Sequence, residues 1–112
     1  MTVDVYSQYF GAACVYHEVP RRDAIVNLTC ESGGGEVRYT AFVSFFPHTQ
    51  DDDFAISYDA CAEKVLLARN GRRSKKREAE LLGGLRAHVD ELAAGLGGQV
   101  FWDRPLREAR LG

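Results

Sequence analysis

The sequence predicts an α+β fold, in which an antiparallel sheet of four to five strands, arranged as a meander, packs against one long C-terminal amphipathic helix. Two patterns carry this prediction. Apolar and polar residues alternate with a period of two in the N-terminal half, and apolar residues recur every three or four positions after Ser74. The chain of 112 residues fits a single α+β domain, 1–112, with 103–112 as a polar C-terminal tail.

The clearest strand signal is the segment EVRYTAFVSFF, in which aromatic and β-branched residues alternate with polar ones. One face of this strand carries Val37, Tyr39, Ala41, Val43 and Phe45. The preceding segment AIVNLTC places Ala24, Val26, Leu28 and Cys30 on one face in the same way. The glycines of ESGGGE between them suit a tight reversal, so the two strands are expected to form an antiparallel hairpin around Ser32 to Gly35.

Three further strands are predicted with weaker signals. The N-terminal segment VDVYSQYFGAACVYHEV is long, and Gly11 near its centre indicates a bulge or a break into two strands. Pro20 with the charged residues after it indicates a loop. FAISY, residues 54–58, alternates as a short fourth strand, and QVFW near the C-terminus reads as a last one.

The segment DACAEKVLLARNG has two interpretations. Its alanine and leucine content favours a short helix that begins at Asp59 and ends at Gly71. Alternatively, Glu63 to Arg69 forms a fifth strand that turns at Asn70-Gly71. The helix is the preferred prediction.

A long helix is predicted from Ser74 to about Leu96, where Gly97-Gly98 ends it. The residues that recur at helical spacing are Glu78, Leu82, Leu85, Val89, Leu92 and Leu96. Gly83 and Gly84 weaken the helix locally, because each costs about 1 kcal/mol relative to alanine.

Composition excludes several classes of protein. No apolar run approaches the ~20 residues that a membrane-spanning helix needs, and the N-terminus has no signal-peptide pattern, so a cytoplasmic location without membrane contact is expected. The three cysteines lack a paired spacing and are expected to be reduced. A zinc site drawn from Cys14, Cys30, Cys61 and the histidines fits no compact ligand pattern, and no cofactor is predicted.

Charge is divided unevenly along the chain. Residues 1–68 hold four basic and ten acidic side chains, whereas residues 69–112 hold ten basic and six acidic ones. The net charge of −2 therefore conceals a local positive cluster, and any attraction to an anion must be local too.

That cluster lies in RNGRRSKKREAELL, where Ser74 is a natural N-cap. Cations in the first helical turn oppose the helix dipole, yet together with the free backbone amides they form a good receptor for phosphate or carboxylate. The predicted anion- or nucleic-acid-binding residues are Arg72, Arg73, Lys75, Lys76 and Arg77. The alternative interpretation is a solvated charged surface without a ligand.

The segment NGRRSKKREAELL resembles the turn and helix start of double-stranded RNA-binding domains, in which Ser-Lys-Lys opens a helix that follows a three-stranded sheet. The resemblance implies that Lys75 and Lys76 contact phosphates. It is confined to about a dozen residues, and Arg77, Glu78 and Glu80 depart from the family's pattern. The helix that should precede the strands is also missing, so the resemblance is not taken as a fold assignment.

The leading functional prediction is a small non-enzymatic binding domain. Its partner would be a phosphate-bearing molecule, such as a nucleic acid, or an acidic protein. The alternative is a homo-oligomeric structural domain, such as a homodimer, that uses the apolar sheet face with Phe42 and Phe46 and the long helix, whose polar side is thin. A small enzyme comes third, because the chain has none of the common catalytic motifs. His48 with Asp51, Asp52 and Asp53 reads as an acidic loop rather than as a metal site.

Overall fold

The computed structural model describes residues 1–14, 19–47 and 60–105. Alternating and glycine-bounded segments form strands in these ranges, and the segment with helical spacing forms the helix. In chain order the elements are β1 (Thr2–Cys14), β2 (Val19–Gly33), β3 (Glu36–Pro47), β4 (Ala60–Asn70), α1 (Lys75–Gly95) and β5 (Gly98–Pro105).

The strands form one five-stranded antiparallel sheet in the order β4-β3-β2-β1-β5. The first four strands form a meander, as predicted, but its fourth strand is β4 and not the predicted segment 54–58, which lies outside the described residues. Helix α1 then crosses the sheet, and β5 joins the opposite edge beside β1. The predicted α+β class is confirmed, and the crossing places the N-terminus of α1 at the β4 edge and its C-terminus near β5.

The predicted hairpin between β2 and β3 is confirmed. The two strands pair without interruption from Arg22↔Pro47 to Gly33↔Glu36. Gly34 and Gly35 form the turn with φ of 60° and 79°, values that glycine adopts without steric cost. The strand faces predicted to be apolar are buried, and they form the centre of the core with residues of α1.

The short helix predicted over residues 60–70 is wrong. This segment is β4, which pairs with β3 from Phe45↔Ala60 to Glu36↔Asn70, with one irregularity beside Tyr39. The helix propensity of alanine and leucine is worth only tenths of a kcal/mol per residue, so the pairing offered by β3 decides the conformation. The predicted turn residue Gly71 does end the segment, with φ of 127°, and its N–H donates to the carbonyl of Gly35 at 2.8 Å.

Helix α1 packs on one side of the sheet, called here the helix-facing side. Its buried residues are Glu78, Leu85, Val89 and Ala93, while Leu81, Leu92 and Leu96 pack partly buried against the core. Leu82, predicted to share the apolar stripe, is 37% exposed instead. On the other side of the sheet Phe42 is half-buried, and the side chain of Phe46 lies outside the described residues.

The remaining predictions concern element ends. Strand β1 continues through Gly11, where its pairing with β5 shifts register, as a bulge does. Strand β2 already begins at Val19, so the loop predicted at Pro20 is wrong. Strand β5 extends three residues into the predicted tail, and residues 106–112 and the predicted strand 54–58 lie outside the described part. Across the described ranges, no helix is long and apolar enough to cross a membrane.

Candidate anion-binding pocket

Helix α1 begins at the N-cap that the sequence predicts. Ser74 has an extended backbone, with φ −133° and ψ 119°, and its Oγ accepts a hydrogen bond from the Arg77 N–H at 3.3 Å. The N–H groups of Lys75 and Lys76 belong to the first turn, where no intrahelical acceptor exists. The positive end of the helix dipole therefore lies among the predicted cations.

Arg73 does not face solvent as a free cation but binds Glu78. Its Nε and Nη2 donate to the two oxygens of the Glu78 carboxylate, each at 3.0 Å, and the Tyr39 hydroxyl donates to Glu78 Oε2 at 2.8 Å. Relative to the Ser74 cap, Arg73 and Glu78 occupy the two positions that often carry a hydrophobic staple. Here an ion pair fixes the entry of the chain into the helix and attaches it to β3 through Tyr39.

The network shifts the acid–base behaviour of its members. Hydrogen bonds from Arg73 hold the pKa of the Glu78 carboxyl below its ordinary value, and burial opposes them. The same carboxylate raises the pKa of the Arg73 guanidinium. Burial, and after it the hydrogen bond to Glu78, raises the pKa of Tyr39 to about 12. Glu78 is thus an anion whose charge Arg73 offsets within the network.

This network predicts a specific loss of stability at alkaline pH. The pKa of Tyr39 is 10.0 in the unfolded chain and about 12 in the folded one. Its contribution to the free energy of unfolding is therefore intact below pH 10 and is lost as the pH rises towards 12. We expect the free energy of unfolding to fall by about 2–3 kcal/mol more in the wild type than in Tyr39→Phe across this window. Urea unfolding from pH 8 to 12 measures the difference, and parallel pH profiles for the two proteins would contradict it.

Beside this network, a pocket of about 170 Å³ collects arginines from both sides of the β4–α1 connection. Its walls include Arg69 at the end of β4, Arg72 in the connection and Arg77 in the first turn of α1. Val37, Tyr39 and Leu67 also line it, together with Asn70, Gly71 and Ser74. Among the described residues no carboxylate forms an ion pair with these three guanidiniums. The pocket is therefore positive and partly apolar.

The structure separates the five predicted cations into three groups. Arg72 and Arg77 line the pocket, Arg73 is held by Glu78, and Lys75 and Lys76 are exposed outside the pocket wall. Sequence reasoning missed Arg69, because the prediction placed it in a helix. It also missed the Arg73–Glu78 pair, for which the signal was present: opposite charges flank Ser74 at the two staple positions.

Among the described residues, the other predicted candidates do not line this pocket. Cys30 is buried beneath the helix, whereas Cys61 is exposed on β4. Within residues 1–14, 19–47 and 60–105 no three metal-binding side chains come together. His48 and the aspartates 51–53 lie outside the described residues.

No protein-family model, curated protein or solved structure matches this chain. The short resemblance to double-stranded RNA-binding domains does not extend to the fold, because strand β1, and not a helix, precedes β2–β4, and β5 follows α1. Function must therefore be argued from the geometry of the site.

Proposed function

We propose that this chain is a non-enzymatic binding domain that holds a phosphate group of its partner in the pocket of Arg69, Arg72 and Arg77. The observation that carries the proposal is the convergence of three arginines without a carboxylate partner in the described residues on one pocket at a helix N-terminus. Guanidinium groups bind phosphate oxygens in bidentate fashion, and helix amides add to the same field.

Two features favour a single phosphate group bound in this pocket. The nearest buried carboxylate, Glu78, already has its charge offset by Arg73, so it does not repel an incoming anion. Outside the basic segment the chain is acidic, with ten acidic against four basic side chains in residues 1–68. A long nucleic acid extends beyond the basic segment and is repelled by this excess of negative charge, whereas a single phosphate group in a pocket is repelled less.

The salt dependence of binding distinguishes these two modes. A protein that neutralises 6–10 phosphates loses about 10³–10⁵ in affinity between 50 and 200 mM salt, because many counterions are released. A pocket for one phosphate group releases few, so we expect a loss of less than about tenfold over the same range. Probes are pyrophosphate, an oligonucleotide with a 5′-phosphate, the same oligonucleotide without it, and a glutamate-rich peptide.

The decisive variants separate the pocket from the neighbouring lysines. We expect Arg72→Glu with Arg77→Glu to weaken binding of pyrophosphate and of the 5′-phosphorylated oligonucleotide by at least about 30-fold, since two bidentate contacts are replaced by repulsion. The matched control, Lys75→Glu with Lys76→Glu, reverses the same number of charges outside the pocket and should cost less than about fivefold. Unchanged affinity in the arginine variant would overturn the proposal. A preference for the glutamate-rich peptide would assign the pocket to carboxylates instead.

A further inference from the structure

A second concave site lies between α1 and β5, where the C-terminal half of the helix passes the outer edge of the sheet. It is an open groove of about 480 Å³. Helix α1 contributes Arg86, Asp90 and Ala94, spaced one turn apart, and β5 contributes residues 98–103. The groove is distinct from the arginine pocket, with which it shares no residue.

Consecutive residues of β5 line the groove, and this pattern shows that the main chain of the strand forms part of the wall. Neighbouring side chains of a strand point to opposite faces, so a groove on one face would be lined by every second residue. Here Gly98, Gln99, Val100, Phe101, Trp102 and Asp103 all line it. The groove therefore runs along the strand's outer edge, and the main chain of β5 forms part of its wall.

No described residue pairs with that edge. Strand β5 is the last strand of the sheet and pairs only with β1 among the described residues. An edge strand presents unpaired N–H and C=O groups on its outer side, and such groups recognise another extended main chain. Gly98–Phe101 pair with β1 in continuous register, whereas residues 102–104 have no partner on β1. The regular part of the edge therefore spans about 13 Å at ~3.3 Å per residue, a length that accommodates about four residues of a bound segment.

The floor of the groove is fixed before any partner arrives. Trp102 Nε1 donates to Asp90 Oδ1 at 2.7 Å, and its ring meets Phe10 edge-on with centroids 4.8 Å apart. The Arg86 guanidinium lies 5.5 Å from the centre of the same ring. A partner thus meets a preformed surface, which lowers the entropic cost of binding.

Charge indicates which side chain the partner brings. Arg86 is the cation among the groove's lining residues, and it forms no ion pair with the described residues. Two carboxylates also line the groove: Asp90, one turn away and engaged by Trp102, and Asp103 on β5. A carboxylate that reaches Arg86 would find a cation held over an aromatic ring and not yet neutralised. The acidic group belongs to a side chain that projects from the added strand towards the helix.

We propose that β5 and α1 bind an extended segment of another protein, which adds as a sixth strand beside β5 and directs an acidic side chain to Arg86. The interaction would combine main-chain hydrogen bonds with one charged contact and one row of side chains in the groove. This proposal does not rest on the phosphate pocket, and either site stands if the other fails.

The test begins with a displayed library of random hexapeptides selected on the full chain, followed by synthesis of the selected peptides with capped ends. We expect a shared Asp or Glu at one position, at least about tenfold weaker binding to Arg86→Ala, and unchanged binding to Arg72→Glu with Arg77→Glu. N-methylation should weaken binding about tenfold or more at every second peptide bond and have little effect at the bonds between, because only alternate N–H groups face the edge.

Filling the groove provides a second, folded-state control. Ala94→Trp places a large ring in the groove and should abolish peptide binding, whereas Ala87→Trp, at an exposed alanine of the same helix outside the groove, should not. The absence of a common sequence among the selected peptides, or tolerance of N-methylation at every bond, would overturn the proposal. So would self-association that Ala94→Trp abolishes in sedimentation experiments, since a second copy would then occupy the edge.

Discussion

Glu78→Ala is expected to lower the free energy of unfolding by about 3 kcal/mol. The substitution removes the acceptor of both Arg73 donors and of the Tyr39 hydroxyl at a residue that is only 7% exposed. Tyr39 is 1% exposed, so the substitution removes the carboxylate acceptor of a buried hydroxyl. The Arg73 side chain is 46% exposed and can return to solvent, which keeps the loss below that of a fully buried pair.

Urea unfolding measures this loss against a control on the same helix. Glu80→Ala removes an exposed carboxylate two residues further along and should change the free energy of unfolding by less than about 0.5 kcal/mol. Because Arg73 lowers the pKa of Glu78, the stability it contributes is present above its ordinary value of 4.5 and is lost as the pH falls through the folded value. The penalty of Glu78→Ala should therefore shrink in acid. Equal effects of Glu78→Ala and Glu80→Ala would show that the network contributes nothing.

Elements that are fixed by interactions between neighbouring residues could be predicted from the sequence, whereas elements that depend on distant strands could not. The β2–β3 hairpin could be predicted because the alternating apolar residues and the Gly34-Gly35 reversal are adjacent in the sequence. From the sequence, strand β4 is only the alternative to the preferred helix, since its conformation depends on pairing with β3 and no local pattern decides between the two. The same limit applies to β5, whose position beside β1 results from the crossing of α1 over the sheet.

The candidate pocket shows the limit at the level of single side chains. The five predicted cations lie in the segment beside which the pocket is found, and a helix N-terminus attracts anions whatever the rest of the fold is. Which cations remain available depends on the three-dimensional surroundings. Arg73 is bound by Glu78 and Tyr39, while Arg69 joins the pocket only because β4 is a strand whose end lies beside α1. The spacing of residues in the sequence does not show that Arg73 is engaged and that Arg69 takes its place in the pocket.

The two glycines predicted to end the helix, Gly97 and Gly98, have different roles. Gly97 supplies a backbone with φ of 72° after the last turn, the conformation that ends many helices. Gly98 supplies space, because a Cβ there would lie 2.8 Å from Cζ of Phe45 and 3.1 Å from the carbonyl oxygen of Ala13. The Phe45 side chain is fully buried, and the Ala13 oxygen belongs to the main chain of β1, so neither atom can move freely.

Gly98→Ala is therefore expected to lower the free energy of unfolding by about 2–3 kcal/mol through overpacking, although alanine is ordinarily the less flexible and more favourable residue. Gly83→Ala is the matched control: its added Cβ meets nothing within 4 Å, and the residue lies inside α1, so the same change should stabilise the protein by about 0.5–1 kcal/mol. Opposite signs in parallel urea titrations would establish that β5 is held against β1 and the core at a contact that only glycine permits. A neutral or stabilising Gly98→Ala would mean that Phe45 yields easily, and the preformed wall of the β5 groove would then be softer than its geometry indicates.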